Sequence, residues 1–215
     1  NRCLVGSEMC IRDRYKTVGH GLGVKPSIVI LKARTTSNNW FVYFDVVDGT
    51  NDFMELSATN ASLSAESYSI VPPTSTVFGT DGAFVSGSSN IPHIAYVFSS
   101  VSSYSKIGKY KGNGNADGTF VFTGFRPAWV MLKRADSADH WIIKDSKRNT
   151  RNDVFSNLGA DIANAEFGSS ANVQSADFLS NGFKLRGTDS GVNANNGTYI
   201  YLAFAESPFK NSRAR

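Results

Sequence analysis

The chain has 215 residues, with 22 Lys and Arg against 18 Asp and Glu, and a formal net charge of +4. That excess is too mild and too dispersed for nucleic acid: the densest basic patch, Lys106, Lys109 and Lys111, has no aromatic-rich RNA motif beside it. No apolar run approaches the roughly 18 residues of a membrane helix, so no membrane insertion is expected. Ser, Thr, Asn and Gly dominate the polar positions, Phe is frequent, and Leu, Lys and Glu are scarce. This balance disfavours helices and suits short strands joined by tight turns.

Residues 4–13 read Leu-Val-Gly-Ser-Glu-Met-Cys-Ile-Arg-Asp. They are the direct translation of CTCGTGGGCTCGGAGATGTGTATAAGAGAC, which resembles a transposase-type sequencing adaptor, and the codon of Arg14 is compatible with its continuation. Residues 1–14 are therefore read as an assembly artefact and set aside from fold reasoning, with the expectation that they pack poorly. Both cysteines, Cys3 and Cys10, fall inside that segment, so Tyr15–Arg215 offers no disulfide framework and no cysteine metal site. The remainder carries 19 basic against 16 acidic residues. The first residue is Asn1 rather than Met, so a missing signal peptide says nothing about secretion.

From there the chain repeats itself. Gly23-Val24-Lys25-Pro26-Ser27, leading into Ile28–Lys32, matches Gly124-Phe125-Arg126-Pro127-Ala128, leading into Trp129–Lys133. Trp40 and Trp141 each open a second apolar stretch, ending at Asp45 and Asp145. Val77-Phe78 aligns with Asp177-Phe178, and His93–Phe98 and Tyr199–Phe204 close the two copies. The spacing of about one hundred residues predicts tandem antiparallel modules of β-sandwich or jelly-roll type. The expected domains are 15–103, 104–210 and a tail, 211–215.

Within each module the signals are β. Ile28–Lys32 is too short for a helix and rich in β-branched residues, and Pro26 stands where no ladder donor is lost. Asp81-Gly82 and Asn181-Gly182 predict type I′ hairpins, whose two central positions need positive φ. About six strands per module are expected, and Thr59–Ser67 and Leu158–Phe167 could each hold one helical turn. Tyr104–Gly114 reads as a strand opening module two. No counterpart precedes module one, so that module is expected to have lost its opening strand, and a bare sheet edge invites wrong pairing.

Few residues recommend themselves for chemistry. His20, His93 and His140 share no metal-ligand spacing and read as surface or strand packing. No Gly-x-Ser-x-Gly elbow occurs, and Glu55, Glu66, Glu166 and Glu206 are isolated, where glycoside hydrolysis needs a carboxylate pair. Asn113-x-Asn115-x-Asp117-Gly118 imitates half a calcium loop, but Gly124 stands where an EF-hand needs Glu, so a turn explains it better. Trp40 and Trp141 read as core anchors rather than sugar platforms. No catalytic residue, cofactor or metal site is assigned, and the expectation is a protein that is not an enzyme.

Several motifs together resemble a β-rich domain of unknown function that recurs in tail and structural proteins of marine bacteriophages. They are His20–Pro26, Tyr104–Gly114, Gly124–Trp129, Leu179–Arg186 and Thr198–Lys210. The resemblance implies a virion or extracellular setting in a tail fibre or tail-associated part. It also implies contact with a host surface glycan or protein, assembly with other virion proteins, and a homo-oligomer. The alternative is an extracellular bacterial carbohydrate-binding module attached to an enzyme.

Overall fold

The computed structural model describes residues 4–10, 16–64, 71–80, 91–149, 151–168 and 174–207. The chain is all-β, and its strand pairings are antiparallel. It divides into two units, residues 1–58 with 62–99, and residues 59–61 with 100–215.

Unit 1 contains β1 (Leu4–Cys10), β2 (Lys16–Gly19), β3 (Ile28–Ala33), β4 (Phe41–Phe44), β5 (Asp52–Glu55), β6 (Leu63–Ser64), β7 (Val77–Thr80) and β8 (Pro92–Phe98). One sheet runs β1-β8-β3-β4-β5-β6, and β2 pairs with β7. Leu31, Phe41, Tyr43, Phe53, Phe78 and Val97 form the centre of its core. β3 and β4 are almost wholly buried along their length, as their apolar sequences, broken only at Lys32, require.

Unit 2 contains β9 (Ser105–Lys111), β10 (Phe120–Phe122), β11 (Pro127–Arg134), β12 (Ile142–Asp145), β13 (Asp153–Val154), β14 (Leu158–Gly159), β15 (Ala176–Leu179), β16 (Gly182–Leu185) and β17 (Thr198–Ala205). A five-stranded sheet, β14-β12-β11-β17-β9, faces a four-stranded one, β10-β16-β15-β13. Alternate residues explain the sandwich. Tyr110, Leu132, Ile142 and Tyr201 point inward from the first sheet, and Val121, Val154, Phe178 and Phe183 meet them from the second. Phe183 meets Tyr110 and Tyr201 edge-on at 6.2 and 5.6 Å. Such pairs add about 0.5–1.5 kcal/mol each beyond the area they bury.

In each unit one strand lies between two antiparallel neighbours. In unit 1, Ile28 lies opposite Phe44 on β4 and Phe98 on β8. In unit 2, Trp129 lies opposite Asp145 on β12 and Phe204 on β17. Leu31 pairs with Phe41 and Ala95 as Leu132 pairs with Ile142 and Tyr201.

Residues 4–10 form an edge strand on β8, with one register shift between Val5 and Ser7. Backbone hydrogen bonds, which any sequence supplies, are enough to dock a strand on an edge. Leu158–Phe167 holds a short strand and a bridge from Phe167 to Asn157 rather than a helical turn, and Leu63–Ser64 is likewise strand. The one helical turn among the described residues is Ser190–Asn193, capped by the Asp189 carboxylate on Gly191 N at 2.8 Å. The β15–β16 hairpin forms, but Leu179 pairs with Gly182, so its loop is Ser180-Asn181, and neither Asn181 nor Gly182 takes positive φ. Gly182 serves a close approach instead: a Cβ there would stand 2.1 Å from Val121 O. The Asp81-Gly82 turn lies outside the described residues. Strand counts also exceed six per module, because several two-residue pairings extend the sheets.

Candidate functional site

Three polar clusters in unit 2 gather groups that are far apart in sequence. The first surrounds Lys144, which points from β12 into the core and is 1% exposed. Its Nζ donates to Val154 O at 3.3 Å, to Asn157 Oδ1 at 2.5 Å and to Gln174 O, one acceptor for each ammonium proton. Asn157 Nδ2 donates to Gln174 Oε1 at 2.9 Å, and Gln174 Nε2 donates to Asp189 Oδ1 at 2.9 Å. Burial pulls the Lys144 pKa down to about 7, with the Asp189 carboxylate opposing. The chain of contacts ties the helical-turn cap to the core and leaves Lys144 no approach from solvent.

The second cluster surrounds Lys133, also wholly buried, whose Nζ donates to Thr59 O and Arg134 O at 3.1 and 3.0 Å. Burial lowers its pKa to about 8 against the pull of Asp139 and Asp161. Two carboxylates that stand apart in sequence thus lie within electrostatic reach of one lysine. Asp161 also holds His140 Nδ1 at 2.7 Å and accepts Trp141 N at 3.1 Å. Ser190 Oγ donates to Asp139 Oδ2 at 2.9 Å. A serine nucleophile needs its hydroxyl on a base that is itself oriented by a third group. Here the hydroxyl and the imidazole face different carboxylates.

The third is a recess of about 150 Å³, lined by Arg126, Ser146, Asn149, Arg151, Asn152, Val154 and Phe178. The Gly-Phe-Arg-Pro motif places Arg126 at the start of β11. Its Nη1 donates to Phe178 O at 2.6 Å, its Nη2 to Asn152 Oδ1 at 3.4 Å, and its Nε meets Glu206 at 3.0 Å. Asn149 fixes the far wall by accepting Phe155 N and Ser156 N at 3.1 and 3.0 Å. Arg151 is exposed at the rim. In unit 1 Lys25 closes on Asp45 at 2.5 Å, beside a space of only about 10 Å³. That is about one water. The unit 2 recess is smaller than the roughly 300–1,000 Å³ of small-molecule pockets. It suits a terminal group of a larger ligand.

The other sequence candidates fall outside these clusters. His20 is buried: Nε2 donates to Thr74 O at 3.1 Å, and Nδ1 accepts Leu22 N at 3.2 Å. His93 is buried on β8. Trp141 is buried, whereas Trp40 is half-buried and stacks on Tyr96 at 6.2 Å. In the Asn113–Gly118 loop the side-chain oxygens serve the protein. Asn113 Oδ1 accepts Asn115 N and Asn193 Nδ2, Asn115 Oδ1 accepts Asp117 N, and Asp117 faces Lys184 at 2.7 Å. Among the described residues no group of three His, Cys, Asp or Glu side chains could hold a metal.

A family model described as Domain of unknown function (DUF7483) matches residues 12–208. The chain belongs to this family. No curated protein and no solved structure matches it. The match takes in both units and all three polar clusters of this DUF7483 chain, and it begins beyond β1. Sequence reasoning missed the recess because Arg126 was legible only as part of a repeat. The signal that could have found it is the polar run after the second apolar stretch of unit 2, which carries Asn149, Arg151 and Asn152.

Proposed function

We propose that this DUF7483 chain is a non-catalytic structural and receptor-binding module of a phage virion, tail fibre or tail-associated, that contacts a host surface glycan or protein. The observation that carries the binding part is the open recess of unit 2 with the exposed Arg151 at its rim. The exposed Arg151 guanidinium at the rim offers forked donors to hydroxyls and carboxylates, the groups that surface glycans present. The phage setting rests on the resemblance of the motifs from His20 to Lys210. The rigid wiring of Lys144, Ser190 and His140 supports a scaffold role for those residues.

The test is a glycan array run beside a hydrolysis screen on marine polysaccharides and bacterial surface glycans. Binding is expected without turnover, and Arg151→Ala should weaken it. Cleavage abolished by replacing Asp139 and Asp161 together would refute the non-catalytic reading. Silence in both assays would refute the glycan contact and leave the structural role. Capsid, portal and tail genes beside the coding sequence would support the virion setting.

A further inference from the structure

The recess of unit 2 has spent its acceptors and kept its donors. Of the residues that line it, Arg126 and Arg151 are cationic, Ser146, Asn149 and Asn152 are polar, and none is a carboxylate. Asn149 Oδ1 accepts Phe155 N and Ser156 N at 3.1 and 3.0 Å. Asn152 Oδ1 accepts Phe178 N at 3.2 Å and Arg126 Nη2 at 3.4 Å. A carbonyl oxygen has two lone pairs, so neither amide oxygen has one to spare. The Ser146 hydroxyl is buried, out of a ligand's reach.

The donors are another matter. Arg126 gives Nη1 to Phe178 O, Nη2 to Asn152 Oδ1 and Nε to Glu206, which leaves two of the five guanidinium N–H groups. Asn152 Nδ2 and the Arg151 guanidinium donate to no group among the described residues, and both residues are exposed. Charge is uneven in the same way. Glu206 balances Arg126 at 3.0 Å, and Arg148 holds Asp145 and Glu166 at 2.6 and 2.7 Å. Asp153 alternates along β13 with the core residue Val154 and is not part of the lining. Arg151 has no ion-pair partner among the described residues.

This pattern discriminates between ligand groups. A sugar hydroxyl accepts and also donates, and its proton would meet amide oxygens that are already taken. A carboxylate only accepts, at about four lone-pair sites, and brings the charge that Arg151 lacks. We propose that the recess takes the terminal carboxylate of an acidic glycan, of the uronic acid kind, on Arg151, Asn152 Nδ2 and the remaining N–H groups of Arg126. The inference rests on the glycan contact proposed above and names its sugar class. Arg126 is pinned by three contacts and presents its donors with little left to order, while Arg151 supplies the charge.

The test titrates the full chain with a glucuronate-terminated disaccharide, its methyl ester and its glucose-terminated counterpart, by calorimetry and amide NMR shifts. The acid should bind about tenfold tighter than the ester or the glucose form, because hydrogen bonds to a charged acceptor are the stronger ones. Its shifts should centre on Asn149, Arg151 and Asn152. Arg151→Gln removes the charge and should abolish the preference for the acid. Lys147→Gln removes an exposed cation outside the lining and should keep it. Equal binding of acid and ester overturns the proposal. So does an Arg151→Gln protein that still prefers the acid, or shifts centred on Lys106, Lys109 and Lys111. A neutral glycan that binds at the recess where the acid does not overturns this inference and leaves the glycan contact standing. Binding of no glycan at all overturns both.

Discussion

Lys144→Met isolates the energetics of the buried ammonium. The native side chain has a pKa of about 7 in the folded protein against 10.5 for an ordinary lysine. The sign follows from linkage. Between pH 7 and 10.5 the unfolded chain holds a proton that the folded chain has released, so the wild type gains stability as pH rises through that window. The gain is at most about 1.4 kcal/mol per pH unit, and on the order of 5 kcal/mol across the window. Below pH 7 both states are protonated and the contribution is flat. Methionine removes the titration but leaves Val154 O, Asn157 Oδ1 and Gln174 O without their donor. That penalty, about 1–3 kcal/mol per orphaned acceptor, does not depend on pH. Urea unfolding of both proteins at half-unit steps from pH 6.5 to 10.5, followed by tryptophan fluorescence, gives the difference curve. Other titrating groups, Lys133 included, cancel in the subtraction. The variant should fall progressively behind the wild type as pH rises. A difference that stays constant across the window would refute the reasoning, because the three acceptors would then hold the proton as tightly as water does.

Asn193→Ala should destabilise unit 2 by about 2–4 kcal/mol, read from chemical denaturation. It removes one bond from Asn113 N and three donated to Asn113 Oδ1, Asn115 O and Gly187 O. Burial lowers the pKa of His93 from 6.5, so below that value the unfolded chain protonates first and stability falls with pH. His93→Leu should flatten the melting temperature of unit 1 between pH 7 and 5, and an unchanged slope would refute that assignment. Gly182→Ala should cost about 2 kcal/mol or more, because its Cβ would meet Val121 O and push β10 off the sheet. Hydrogen exchange at Phe120–Phe122 checks this, and protection equal to the wild type would refute it.

Local pattern carried the strands. Ile28–Ala33 and Pro127–Arg134 were legible as buried strands because an apolar run of that length, ended by polar turns, has few other stable forms. The opening strand of unit 2 was legible from its place before the Gly-Phe-Arg-Pro motif. Hairpin register was less legible: Asn181-Gly182 marks the turn, but the approach of Val121 shifted the loop by one residue. Trp40 and Trp141 read alike in sequence, yet only Trp141 is fully buried, because burial depends on what the fold lays over each. The polar clusters belong to the tertiary structure. A lysine in sequence reads as solvated, and Lys144 is buried only because Val154, Asn157 and Gln174 bring their oxygens to it from two other segments. Asp139 and Asp161 come within electrostatic reach of Lys133 for the same reason, and Arg126 reaches Phe178 and Asn152 only once β11 and β15 are stacked. A strand's apolar run is set by residues a few positions apart, and so can be read from the chain. Which polar groups meet is set by strand order and register, which arise from pairings between distant segments.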